Sequence, residues 1–269
     1  MAKYKKKTVR QLRQDRFRDT TMLLADQLAE KVAGRGKQIL YVLVGIVVLA
    51  GLVYGIVRWR QKHAAEAEQA MGRAIKIARG EVTTTPPINP KDPVFSTEQE
   101  RANRAIEEFQ KVAVKYGEPY RSEANYFIAT SRLVVEPAKG ESELQGLSQG
   151  TGDVAVLAKF ALAQTKQGAG KLDEAAALYS EIAKLNSNIV PPESANLQLA
   201  GIYQKQGKRK EAADLLFGIV QTSRNARDAE GKPIQETAAS RQASQELLKL
   251  DPARHAQLPA AADTAGFPF

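Results

Sequence analysis

From Ile39 to Val57 the chain reads ILYVLVGIVVLAGLVYGIV, 19 residues without a charge. Beyond it, apolar and polar positions alternate at the three-to-four-residue spacing of amphipathic helices. At 1.5 Å per residue the uncharged run is about 28 Å long, close to the hydrocarbon thickness of a bilayer. Tyr41 lies near one end, Tyr54 and Trp59 lie near the other, and Lys37 and Arg58 bound the run, as interfacial anchors would. The pattern predicts a transmembrane helix over 39–57. The run exceeds the apolar core of a signal peptide, follows a long leader, and is followed by Arg58-Trp59-Arg60 where small cleavage-site residues would stand. An uncleaved anchor is expected. Gly51 and Gly55 form a small-xxx-small pair through which two such helices could approach and the chain self-associate.

The helical pattern after the anchor repeats itself. Leu162 and Ala163 recur as Leu199 and Ala200, Gly170 as Gly207, Ala175 as Ala212, and Ile182 as Ile219, all at a spacing of 37. A large then a small residue in one helix, Gly in a turn, then Ala and a bulky residue in the next helix is the tetratricopeptide pattern. The small residues admit a neighbouring helix, Gly170 and Gly207 suit a turn with positive φ, and Tyr179 and Leu216 fill the seam between repeats. Tyr203 occupies a further repeat position of the first helix. The three residues beyond the usual 34 fall in NSNIVPP (186–192). Ile128-Ala129 stands 34 residues before Leu162-Ala163, with Tyr126 matching Phe160; there Glu136 and Glu141 occupy the Gly and Ala slots, so its second helix reads as degenerate. Ala105 and Phe109 mark a second helix one repeat earlier, with Ser96 and Gln99 as its capping box and 63–79 as its partner helix. A last helix is expected over about 235–249, closing at LLKLDP.

The expected fold is all-α: one N-terminal transmembrane helix followed by a degenerate tetratricopeptide-like α-solenoid. Its parts are a basic leader (1–38), the transmembrane helix (39–57), a juxtamembrane helix and proline-rich linker (58–95), the repeat domain (96–252) and a disordered tail (253–269). In this layout, and in Gly170, Ala175, Leu199, Ala200, Tyr203, Gly207 and Ala212, the chain resembles the ancillary subunit of the bacterial Sec translocon and its relatives. The resemblance covers about 37–250 and implies an inner-membrane protein that exposes its repeats to the periplasm. It also implies translocon subunits and periplasmic chaperones as partners.

Charge changes this picture in one respect. The net +9 is concentrated before and beside the anchor: residues 1–38 hold 11 Lys/Arg against 4 Asp/Glu, Arg58, Arg60 and Lys62 follow, and 63–269 hold 25 against 26. The basicity fits contact with anionic lipid, and nucleic acid is not an expected partner. Val9, Leu12, Leu24 and Leu28 would let the leader lie as a helix on the cytoplasmic leaflet. Locally, Lys31, Arg35 and Lys37 on one flank are outnumbered by Arg58, Arg60, Lys62, Arg73 and Lys76 on the other. The whole leader outweighs this, so the N-terminus is placed in the cytoplasm and the C-terminal domain in the periplasm.

Candidate chemistry is sparse. There is no cysteine, which excludes thiolate catalysis and Cys-ligated zinc. His63 and His255 stand apart from any metal-ligand spacing. QGAGKL (167–172) lacks the first Gly and the Ser/Thr of a phosphate loop and reads as a hairpin turn. Glu98, Glu100, Glu107 and Glu108 read as a solvated helix face. Neither enzyme activity nor a cofactor or metal is expected. In a superhelix of hairpins the first helices line the concave face, which receives Glu123, Tyr126 and Thr130, then Phe160, Gln164 and Gln167, then Leu197, Gly201 and Gln204. With few cations there, no clamp for a peptide carboxylate is expected. The expected role is an adaptor binding protein partners through that face. The alternative is an envelope scaffold that self-associates and has no translocation role.

Overall fold

The computed structural model describes residues 36–85 and 92–261. Most of the leader, including its Val9, Leu12, Leu24 and Leu28 pattern, lies outside the described residues, as do the proline-rich segment 86–91 and the tail from 262. The chain divides into two compact units, Met1–Glu66 and Ala67–Phe269. In the first, helix α1 (Gly36–Ala78) runs without a break through the uncharged segment and on into the second. It is the one helix among the described residues long and apolar enough to cross a membrane, by length and composition.

The second unit is a stack of antiparallel helical hairpins. After the end of α1 come α2 (Glu98–Lys115), α3 (Tyr120–Val135), α4 (Pro137–Ser148), α5 (Asp153–Gly168), α6 (Leu172–Lys184), α7 (Pro192–Lys205), α8 (Arg209–Asn225), α9 (Ala238–Leu250) and the single turn α10 (Pro252–His255). From α2 onward each helix packs on its sequence neighbours, and α3 also touches α5 and α7 touches α9. Every core therefore takes residues from three helices. Ala67, Met71 and Ala74 of α1 meet Phe109 of α2 and Ile128 of α3. Ala129, Leu144 and Leu162 join α3, α4 and α5. Ala163, Tyr179 and Leu199 join α5, α6 and α7; Ala200, Leu216 and Leu247 join α7, α8 and α9. This is the tetratricopeptide-like solenoid the repeats predict.

The two aligned turns match bond for bond. Gly170 and Gly207 each hold φ at 75°, and each donates its N–H to the carbonyl three residues back, Gln167 and Gln204. The next N–H, of Lys171 or Lys208, reaches the carbonyl five residues back at 2.9 Å. This Schellman arrangement satisfies the orphan carbonyls of the first helix and turns the chain within four residues. The phosphate-loop resemblance at 167–172 is this turn.

Three expectations change here. The second helix of the 120–148 hairpin keeps its tight packing, shifted by one residue: Glu136 alone separates α3 from α4, and Gly140 replaces 141 at the close approach. A Cβ on Gly140 would stand 2.6 Å from Leu133 N and 2.8 Å from Ala129 O, so the short turn demands a residue without one. The cap of α2 sits one residue later than Ser96 and Gln99, because Thr97 accepts from Glu100 N at 3.1 Å while Glu100 accepts from Ser96 N at 2.9 Å. The proline-rich linker also carries local structure: β1 (Glu81–Val82) and β2 (Val94–Phe95) pair in parallel, and Arg101 donates to Gly80 O across their base. The tail expected to be disordered from 253 is ordered to 261. α10 follows Asp251, whose carboxylate caps it, Arg254 pairs with Asp214, and Leu258 packs on the last core.

α9 begins at Ala238, where Thr237 accepts from Ser240 N. The preceding loop is shaped by Asp228, whose carboxylate accepts from the N–H groups of Glu230 and Lys232.

Candidate protein-binding surfaces

The first helices α3, α5 and α7 carry the positions expected to line a binding face. Glu123, Tyr126 and Thr130 are half-buried on α3. The Tyr126 ring meets Phe127 edge-on at 5.3 Å, and burial raises the pKa of its hydroxyl. Thr130 spends its hydroxyl on Phe127 O at 3.0 Å. On α5, Gln164 is exposed, Phe160 packs edge-on against Tyr179 at 5.6 Å, and Gln167 accepts from the Tyr179 hydroxyl at 3.2 Å. On α7, Gly201 and Gln204 are half-buried, and Gln204 donates to Glu246 at 3.4 Å. Leu197 is a correction. It is 8% exposed and lies in the last core, because α9 packs along α7 and covers that position. Of the expected contact residues, Gln164 is thus the exposed one, and Phe160, Gln167 and Gln204 are committed to neighbouring helices.

The repeat positions are structural. Ala163, Ala175, Ala200 and Ala212 are wholly buried, and Leu199 lies with them. Tyr203 is half-buried with the Lys208 ammonium over its ring at 5.4 Å. Gly51 and Gly55 lie on α1 with open space where a side chain would be.

Charges are tied into the scaffold. Lys166 of α5, its side chain 12% exposed, reaches Glu141 of α4 at 2.7 Å and Glu174 of α6 at 2.6 Å, crossing two helix seams. Those hydrogen bonds raise the Lys166 pKa, and the bond from Lys166 lowers that of Glu174. The acidic face of α2 is a set of surface pairs, Glu98–Arg101, Glu107–Arg104 and Glu108–Lys111. His255 meets Ser244 at 3.0 Å. Among the described residues no group of His, Asp and Glu has the arrangement to hold a metal ion.

A second surface escapes the sequence reading. A groove of about 590 Å³ opens beside the last hairpin, between the start of α7, one face of α8 and the 226–237 loop. Its walls come from segments distant in sequence and follow no motif. The only hint in the sequence is Gly218, a glycine inside a strongly helical stretch.

No family model matches the chain, and no curated protein matches it. Two solved structures superpose on part of it, both of a putative kinesin light chain from Podosopora anserina with nearly identical TPR-like repeats, the second a form with a single substitution. The first is 16% identical with a TM-score of 0.44, covering 60% of this chain and 82% of that one. The substituted form is 15% identical with the same score and coverage. The assignment of a tetratricopeptide-like fold therefore rests on the hairpin stacking and the paired turns above.

Proposed function

We propose that this protein is a non-catalytic adaptor, anchored in a bacterial inner membrane by α1, that binds protein partners through its hairpin domain. The observation that carries the anchor is the surface of α1. Between Tyr41 and Val57, 11 large apolar side chains are 45–72% exposed. They point all round the helix, and such a surface is at home in hydrocarbon, where α1 satisfies its own backbone groups. The stacked-hairpin fold supports protein binding, since such stacks present extended surfaces from successive first helices. The charge split supports a cytoplasmic leader and a periplasmic domain. The layout and repeat residues that resemble the ancillary Sec subunit support partners among translocon subunits, periplasmic chaperones or other envelope proteins.

The test is a photo-crosslinking amino acid at Gln164, with Glu123 as a second site, in the full chain in native membranes. Crosslinks to translocon subunits or periplasmic chaperones are expected. Crosslinks to further copies of this chain alone would overturn the adaptor reading in favour of a scaffold joined through the Gly51 and Gly55 face. A C-terminal fusion active only in the cytoplasm would overturn the orientation.

A further inference from the structure

The groove beside the last hairpin has a composition that selects among ligands. Leu215, Gly218 and Ile219 of α8 form its floor, and Ile234, 47% exposed, stands over one side. Asn186, Asn196, Thr222 and Gln235 surround that floor. Among the described residues, none of these four side chains is engaged in a hydrogen bond, so each can donate and accept. Two carboxylates also line the groove. Asp214 is paired with Arg254. Glu193, half-buried in the first turn of α7, has no ionic partner among the described residues.

We propose that this groove takes a short apolar peptide segment bearing a lysine or arginine at one end, supplied by a protein partner. The apolar side chains rest on Leu215, Ile219 and Ile234, the amide and hydroxyl groups bond the peptide backbone, and Glu193 answers the cation. The volume suits a few side chains, within the usual range of a ligand site. An acidic segment is rejected, because burying it would set like charge against Glu193. The depth of the groove comes from Gly218. It lies within α8, and a Cβ built there meets nothing within 4 Å, so a larger side chain fills the groove and not the core.

This inference rests on the protein-binding reading but concerns a different surface, and its test separates the two. The full chain is placed in lipid nanodiscs. It is titrated into a fluorescein-labelled hexapeptide of leucine, valine and alanine ending in lysine amide, and into a twin ending in glutamate; empty nanodiscs give the lipid background. Saturable binding of the lysine peptide is expected, at least tenfold tighter than that of its twin. Gly218→Leu should weaken it at least tenfold without lowering the melting temperature. Glu193→Gln should abolish the preference for lysine while leaving apolar binding. Equal binding by wild type and Gly218→Leu, or no saturable binding by wild type, overturns the proposal. If the peptide fails while crosslinks from Gln164 persist, the groove inference falls alone. If the peptide binds while crosslinks from Gln164 are absent, the first-helix face falls as the binding surface and the groove inference stands.

Discussion

Gly140 and Gly201 both stand inside helices, and their surroundings give them opposite consequences. Around Gly140 the backbone of α3 is so close that a Cβ would lie 2.6 Å from Leu133 N, 2.8 Å from Ala129 O and 2.9 Å from Arg132 C. Backbone cannot swing aside as a side-chain tip can, so Gly140→Ala forces α3 and α4 apart. Overpacking of this kind costs about 1–3 kcal/mol, against a gain in helix propensity of about 1 kcal/mol at most. The expected outcome is a net loss of up to about 2 kcal/mol, read as a fall in melting temperature by circular dichroism. Around Gly201 a Cβ meets nothing within 4 Å. Gly201→Ala should raise stability by about 0.5–1 kcal/mol. If Gly140→Ala melts at or above wild type, the hairpin does not depend on that approach.

At the scale of elements, one side chain joins several parts of the end of the described chain. Arg224, near the end of α8 and 12% exposed, donates to Glu236 at 2.5 Å, to Pro259 O at 2.7 Å and to Ser244 at 3.4 Å. It thereby ties the 226–237 loop, α9 and the segment after α10 to one helix. α10 is a single turn and contributes little on its own, so this segment depends on Arg224, the Arg254–Asp214 pair, the Arg254 guanidinium over Phe217 and Leu258. Arg224→Met leaves Glu236, 15% exposed, without its cation. Removing one partner of a largely buried pair costs about 3 kcal/mol. Denaturant unfolding should show that loss, and limited proteolysis should cut first within 252–261. Unchanged protection there would mean that apolar packing alone holds the segment.

For the whole molecule, Tyr179 sets an alkaline limit. It is wholly buried among α5, α6 and α7, and burial pushes its pKa from 10.0 up to about 12. The unfolded chain therefore loses this proton before the folded one does. The stabilising effect is fully present below pH 10 and is lost as the pH rises from 10 to about 12. Tyr179→Phe should flatten the fall in melting temperature across that window, while losing about 1 kcal/mol at neutral pH with the Gln167 bond. Equal slopes for the two proteins would place the alkaline limit elsewhere.

The uncharged run, the repeat spacing and the turns at Gly170 and Gly207 were legible in the sequence because their causes are local. Length and hydropathy define a helix suited to a bilayer, and a left-handed turn between helices calls for glycine. Which face of each helix stays open was decided elsewhere. Leu197 carries the pattern of a contact residue, yet α9, folding back after the 226–237 loop, covers it. Gly140 reads as ordinary and the neighbouring Glu141 as a degenerate slot, until a one-residue turn sets the register. The Arg224 tie and the groove at Glu193 and Gly218 join segments distant in sequence. Periodicity fixes what a helix will bury; only packing fixes what covers it and what it leaves open.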